Sequence, residues 1–330
     1  MSELLSPAEV QAAGESIAML RNGMNQVLID QGPVIERVVL AVLARGHVLL
    51  EGLPGLGKTE LCKGLARLLS LPFKRLQFTP DLLPGDITGT YVLEGEKREF
   101  VFRPGPLFAS LVLADEINRS SPKTQSALLE AMQERSVTVL GTTHALPSPF
   151  FVLATQNPIE LEGTYPLPEA QLDRFLFRVQ VPTVGAKTLS TLLTQRVRGE
   201  PPPQKPVMDA EGLKRLFGLV DRIHLPVPVA DYIGRLVEAT HPASPSAPDG
   251  VKRFVRYGAS PRAALAMASS ARASALTKGK PNVGFDEVRD VTMAVLNHRL
   301  VLSYEAGLEK VTADKVVNAL LESVPEVARA

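Results

Sequence analysis

Short, near-continuous apolar runs alternate along the first two thirds of the chain with stretches whose apolar residues recur at helical spacing. The runs are Val48-Leu49-Leu50, Leu111 to Ala114, Phe150 to Ala154 and Phe175 to Val181; after the first, Leu61, Leu65 and Leu68 fall at i, i+4 and i+7. Strands covered by helices on both faces read this way, so an α/β core around a parallel sheet is expected. Two stretches break the rhythm. Residues 77–105 carry Tyr91-Val92-Leu93 and Phe100-Val101-Phe102 on either side of Glu94-Gly95-Glu96, and residues 136–146 have Gly141 near their middle. Both predict β-hairpins, the first inserted where a helix is due. The Pro-rich text at 199–206 can form neither a helix nor a central strand, which predicts a boundary between a first domain over 1–200 and a second over 207–330. Beyond it, segments near 209–224, 229–240, 261–277, 284–302 and 312–323 have helical spacing and no convincing strand. A small all-α bundle is expected there, with a loop at 242–248.

Composition narrows the picture modestly. The 330 residues, 45% hydrophobic and 22% charged, are enough for one large core and one small one. Thirty-six basic against 35 acidic residues give a net charge of +1, so no overall field would draw in nucleic acid or an anionic membrane. Cys62 is the only cysteine, and its place in the first helical pattern turns it toward the core, which excludes a disulfide framework or a cysteine-based metal site within the chain. With no cationic leader and no apolar run of about 18 residues, a cytoplasmic address and no membrane span are expected.

The strand pattern at Val48 runs directly into Gly52-Leu53-Pro54-Gly55-Leu56-Gly57-Lys58-Thr59-Glu60, a complete G-x-x-x-x-G-K-[ST] loop followed by a helix. Glycines let such a loop fold its backbone N–H groups around phosphate oxygens, and the helix adds its positive end. Lys58 would reach the β- and γ-phosphates and Thr59 would offer a hydroxyl to Mg²⁺. The run ending in Asp115-Glu116 puts two carboxylates at the carboxyl end of a parallel strand: Asp115 to hold Mg²⁺ through water, Glu116 to polarise the attacking water. Taken alone, that pair also fits a helix cap. Asn157, at the tip of the Phe150 run, is positioned to hydrogen-bond a γ-phosphate and its attacking water, although Asn-Pro by itself starts a turn. Arg174 would meet a γ-phosphate only as a finger from a neighbouring subunit; its plain alternative is a surface pair with Asp173. Arg262 follows Pro261 at a predicted helix start, where the helix dipole disfavours a cation and a nearby phosphate would relieve the conflict.

Taken in order, the loop at 52–59, Asp115-Glu-Ile-Asn-Arg119, Ala154-Thr-Gln-Asn-Pro158, Leu167 to Phe175 and Gly258-Ala-Ser-Pro-Arg262 resemble the MoxR family of AAA+ ATPases over nearly the whole chain. The resemblance implies an αβα P-loop NTPase core followed by a helical lid, with ATP and Mg²⁺ as cofactors. It also implies a homo-oligomeric ring, usually a hexamer, that holds each ATP between subunits. The implied role is chaperone-like: remodelling or activating a client enzyme together with a partner bearing a von Willebrand factor A domain. By the same resemblance Asn157 is sensor 1, Arg174 the arginine finger, Arg262 sensor 2, and Arg119 a weaker candidate for a subunit contact. Asp30-Gln31 stands where the family tends to have Gly-Gln, so the adenine contacts around Leu28 to Val34 stay open. The rival expectation is a nucleic-acid-stimulated motor or a magnesium-chelatase-like subunit; the balanced charge speaks against nucleic acid.

Overall fold

The computed structural model describes residues 5–95, 99–157, 163–196 and 201–327. Two helices open the chain, α1 (Pro7–Val27) and α2 (Gly32–Leu43). Ser6 starts α1 with a full capping box, its hydroxyl accepting from the Glu9 amide while the Glu9 carboxylate takes the Ser6 N–H. Then follow β1 (Val48–Glu51), α3 (Lys58–Leu68), β2 (Phe73–Gln77), the short α4 (Pro84–Thr88), the hairpin β3 (Gly89–Glu94) and β4 (Glu99–Pro104), and β5 (Leu111–Asp115). A single 3₁₀ turn at Ile117–Arg119 leads to α5 (Pro122–Glu134), a second hairpin of β6 (Ser136–Val139) and β7 (Thr142–Ala145), and β8 (Phe151–Gln156). The first unit closes with α6 (Glu169–Leu172), β9 (Phe177–Gln180) and α7 (Ala186–Gln195).

β2, β5, β8, β1 and β9 form, in that order, one parallel sheet. The pleat explains the unbroken apolar runs. Leu111, Leu113, Phe151, Leu153, Val48 and Leu50 enter the core shared with α1 to α3, whereas Val112, Ala114, Val152, Ala154 and Leu49 enter the core on the α5 side. Both hairpins of the sequence reading are present. In the second, Leu140 and Gly141 both take positive φ, the pairing that a two-residue turn needs to match strand twist. The sequence reading has four strands; the structure adds β2 at the sheet edge.

The helical part comprises α8 (Ala210–Arg222), α9 (Val227–Glu238), α10 (Asp249–Phe254), α11 (Pro261–Thr277), α12 (Phe285–Leu296), α13 (Tyr304–Leu308) and α14 (Ala313–Ser323). It is not free of strand: β10 (Val255–Tyr257) pairs antiparallel with β11 (Val301–Leu302). The helical spacing near 284–302 therefore overshoots, because the helix stops at Leu296 and the chain turns back to pair with β10. Its apolar residues join those of α1, α2 and α3 in one continuous cluster. A buried arginine reinforces the junction. Arg299 donates to Asp173 Oδ1 at 2.8 Å and to the Phe175 and Leu176 carbonyls at 2.6 and 3.2 Å, while His298 Nε2 lies 3.0 Å from the Phe175 carbonyl.

Candidate nucleotide-binding site

The predicted loop leaves β1 at its carboxyl end and becomes α3. Gly55 and Gly57 have φ of 82° and 81°, a region open to glycine, and a Cβ on Gly57 would come within 2.6 Å of Leu28 Cδ1. The first amide bonded within the helix is Leu61, to the Gly57 carbonyl, so the N–H groups of residues 57 to 60 have no helical partner. Four free donors at the positive end of an eleven-residue helix make an anion cradle. Lys58 Nζ donates to the Gly52 carbonyl at 2.7 Å, holding its ammonium across the loop. Burial pulls its pKa down while the charges of Asp115, Glu116 and Glu51 oppose that shift. Pro54 and Gly55 are exposed and Leu56 packs against the core. Glu60, placed in the sequence reading among the nucleotide contacts, turns its carboxylate to Lys63 at 2.9 Å, leaving only its backbone N–H for a phosphate.

The acid pair lies at the same end of the sheet. β5 and β8 run in register as far as Ala114 and Ala154, so Asp115 and Thr155 emerge side by side. Thr155 Oγ1 donates to Asp115 Oδ1 at 2.6 Å and accepts the Glu116 N–H at 2.8 Å. That second bond holds Glu116 in a left-handed conformation, φ 57° and ψ 51°, from which its side chain leaves the strand direction. Glu116 Oε2 accepts from Gln77 Nε2 at 2.7 Å and from Arg119 at 3.1 Å. Arg75 places two N–H groups on Asp115 Oδ2, at 2.7 and 3.1 Å. Asn157 is buried immediately after β8, and the Gln156 carbonyl accepts the Gly52 N–H at 3.4 Å, which sets the sensor position beside the phosphate loop. Glu51, buried just before the loop, is held by Arg178 at 2.8 Å and by Gln180.

An oxygen donor set of Thr59 hydroxyl and Asp115 carboxylate beside a phosphate cradle fits Mg²⁺, a hard cation that keeps several waters and takes few protein ligands. Among the described residues no cluster of three or more histidine, cysteine, aspartate or glutamate side chains offers an all-protein metal cage.

The two candidate arginines are elsewhere. At the carboxyl end Gly52 abuts Val181, whereas at the amino end Gly46 abuts Leu176 and the His47 carbonyl takes the Leu176 N–H. Arg174 belongs to that amino end, about 15 Å along the strands from the chain's own phosphate loop. Arg262 is there too. Its guanidinium lies 3.5 Å from Asp173, and it lines with Arg45, Arg135, Arg174 and Arg299 a cavity of about 310 Å³ in which Asp173 is the only carboxylate. The surface pair of Arg174 with Asp173 is not formed: Asp173 accepts from Arg299, from Ser260 Oγ at 2.9 Å and from Arg262 instead. Arg262 starts α11 as expected, behind Pro261 and the Ser260 cap, but at the end of the sheet opposite its own phosphate loop. Arg119, read as a subunit contact, has its guanidinium on Glu116 of the same chain. A larger cavity of about 630 Å³ between α1 and α8 contains none of the predicted site residues.

Sequence reasoning missed Arg75, Gln77, Glu51 and Thr155. The signal for the first two was available only through the parallel register that sets Gln77 opposite Asp115.

The model of the ATPase family associated with various cellular activities (AAA) matches residues 47–177, and an AAA lid domain model matches 250–320. The chain is 42% identical over 301 residues to the chaperone MoxR1 of Mycobacterium tuberculosis, covering 91% of this chain and 80% of that protein. It is 32% identical over 321 residues to the protein MoxR of Paracoccus denitrificans, covering 92% and 94%. A crystal structure of a candidate ATPase from Cytophaga hutchinsonii superposes with a TM-score of 0.89 at 35% identity, covering 97% of each chain. Among the described residues no helix is long and apolar enough to cross a membrane. With an AAA domain whose nucleotide loop, acid pair and lid are all in place, the chain belongs to the MoxR family of AAA-type ATPases.

Proposed function

We propose that the protein hydrolyses ATP to ADP and phosphate as a subunit of a ring, hexameric as in its family, and that this ring remodels or activates a client enzyme with a von Willebrand factor A domain partner. The observation that carries this reading is the separation of complementary halves. Phosphate cradle, Lys58, the acid pair and Asn157 lie at one end of the sheet, while Arg174 and Arg262 lie at the other, beside a cavity rich in guanidinium groups. Among the described residues Arg174 has no carboxylate partner, and its buried Nε makes no hydrogen bond. Cations placed this way are useful to the phosphates of a neighbour.

Within a chain, the free N–H groups at the start of α3 and Lys58 bind the triphosphate, and Thr59 and Asp115 hold the metal. Mg²⁺, where bound there, would supply charge neutralisation for the triphosphate. Glu116 takes the proton of the attacking water, which Asn157 orients, and the neighbour's Arg174 stabilises the charge that develops on the transferring group, a contribution of ~10³–10⁵ in rate. Arg262 joins it from the lid of the same neighbour. The exposed tip of the first hairpin, with Leu93 52% and Phe100 71% accessible, and Leu140 of the second at 83%, is the surface offered to the client.

Mixing separates this scheme from catalysis within one chain. Glu116→Gln and Arg174→Ala proteins should each be nearly inactive. Dissociated and reassembled together, they form interfaces at which an Arg174→Ala subunit holds ATP beside an intact finger. Phosphate release should peak near equal proportions; a flat, inactive profile with verified subunit exchange would overturn the intersubunit assignment.

A further inference from the structure

A third cavity lies at the amino end of the sheet, between the stretch that leads from the second hairpin into β8 and helix α8 of the lid. Its volume is about 430 Å³, within the range of small-molecule sites. Phe150, Phe151, Phe217 and Leu146 wall it, each at most 8% exposed, so the wall is packed core and holds its shape without a ligand. The Phe151 ring stands edge-on to Phe217 across the junction of core and lid, with centroids 6.3 Å apart.

Two guanidinium groups enter this apolar setting. Arg45 stands 5.5 Å from the centre of the Phe217 ring and Arg135 5.9 Å from that of Phe150. Arg45 is neutralised by Asp221 of α8. Arg135 has no such partner among the described residues; it donates to the main-chain carbonyls of Phe150 and, at 2.7 Å, of Arg45. Nor does any carboxylate among the described residues line the cavity. Burial and the neighbouring Arg45 charge both pull the Arg135 pKa down, as befits a cation set beside another cation and no anion.

Charge and donor counting define what fits. With Arg45 shared by Asp221, the cavity carries one unbalanced positive charge, which a single negative charge balances; a dianion would bring one charge too many into an apolar surround. A guanidinium has five N–H donors, of which Arg135 spends two, and the remaining three suffice for a two-pronged grip on a carboxylate. The aromatic wall beyond them accepts an apolar body. We propose that this cavity binds a monocarboxylate with an apolar body the size of an aryl group, its carboxylate gripped by Arg135 and Arg45 and its body seated against Phe150 and Phe217. The site stands apart from the phosphate loop, which is at the other end of the sheet, and adjoins the cavity of Arg174 and Arg262, with which it shares Arg45 and Arg135. Its ligand bridges core and lid.

The probe is 3-phenylpropionate, titrated by calorimetry into the full chain without nucleotide, beside its amide, acetate and benzylmalonate. The acid should bind with a Kd of about 1 mM or below, the scale for so small a ligand. The amide lacks the charge and acetate lacks the body, so each should bind at least about tenfold more weakly. Benzylmalonate, the same body with a second carboxylate, should also bind more weakly. Arg135→Gln should weaken the acid about tenfold or more and Arg45→Gln about threefold. Arg45→Gln keeps the main-chain carbonyl that Arg135 uses and leaves the wall intact, so it decides the matter if Arg135→Gln does not fold. No binding of the acid at about 10 mM, an amide that binds as well as the acid, or an affinity unchanged in the folded variants overturns the site. Tighter binding of benzylmalonate overturns the assignment of a monoanion.

Discussion

Thr155→Val tests whether the acid pair is organised by one hydroxyl. Valine replaces the hydroxyl with a methyl of nearly equal volume at a site only 1% exposed, so no cavity opens. Two bonds are lost. The charge-assisted bond to Asp115 is worth about 1.5–3 kcal/mol, and the Glu116 N–H left unpaired costs about 1–3 kcal/mol, less here because Glu116 is partly solvated. A net loss of about 2 kcal/mol is expected, or a fall of roughly 3 °C in melting temperature for a chain of 330 residues. The functional loss should be larger than stability alone explains, because the left-handed backbone at Glu116 costs about 1–3 kcal/mol to maintain and Thr155 is what holds it. Without that bond Glu116 can relax away from the attacking water, and phosphate release should drop at least tenfold. Thr155→Ser makes the control: it loses a buried methyl, about 1 kcal/mol, yet keeps both bonds. Thermal melts and phosphate release on the three proteins decide the matter. A valine variant as active as native, or a serine variant as inactive as valine, would refute the reasoning.

His47 links the strand that feeds the phosphate loop to its surroundings: its Nδ1 accepts the Val152 N–H at 2.9 Å and its Nε2 donates to the Met132 carbonyl at 3.1 Å. Burial, with Arg135 nearby, lowers its pKa to about 3 from 6.5, so between those values the unfolded chain binds more protons and stability rises with pH. Unfolding free energies of the native protein minus those of His47→Gln, taken from pH 7 down to pH 4, should therefore fall by up to about 1.4 kcal/mol per pH unit below 6.5; a difference that does not change with pH contradicts the assignment. In the hairpins, Phe102 stacks on His144 at 3.8 Å and the Tyr91 hydroxyl lies 3.3 Å from His144 Nε2, so these aromatics bind the two hairpins to each other and do not face a client. Phe102→Ala should lower the melting temperature, whereas Leu93→Ser with Phe100→Ser should leave melting and basal phosphate release within twofold and weaken partner-stimulated release; the reverse pattern in the two melts would show the outer residues to be core.

How much the sequence discloses follows from whether neighbours in space are neighbours in the chain. The phosphate loop is consecutive, so residues 52 to 59 announce it. β1, β5, β8 and β9 are legible because packing on both faces demands near-unbroken apolar text. β2 is not, since an edge strand exposes Lys74 and Arg75 and needs no such run. With it went Arg75 and Gln77, whose place in the site depends on register across two strands. Thr155 stood inside a recognised segment, but its bonds to Asp115 and Glu116 need the pairing of β5 with β8 before they can be drawn. The pair β10 and β11 is only three and two residues long, too short to interrupt a helical spacing. Arg262 shows the deeper limit: its helix start was legible, and its address was not, because the way a lid packs on a core is settled by residues such as Arg299 whose partners lie more than a hundred positions away.

That packing constrains mechanism. A lid arginine could reach its own nucleotide only by swinging the lid across the carboxyl end of the sheet. Here the lid is tied to the opposite end: buried Arg299 takes Asp173 and the carbonyls of Phe175 and Leu176, His298 takes Phe175, and α11 packs with α1 and α2 in one apolar cluster. Freeing Arg299 would leave the Asp173 carboxylate and several carbonyls without their donor in a low-dielectric setting, and breaking such a pair from one side costs about 3–5 kcal/mol. Apolar contacts along α11 would be lost as well. The cheaper way to bring Arg262 to a triphosphate is to bring the triphosphate to Arg262 on a second copy, where Arg174 already waits on the same face. The lid of the proposed ring then reports on its neighbour's nucleotide, and Asp173, holding Arg262 and Arg299 together beside Arg174, ties that report to the strand β9 of its own core.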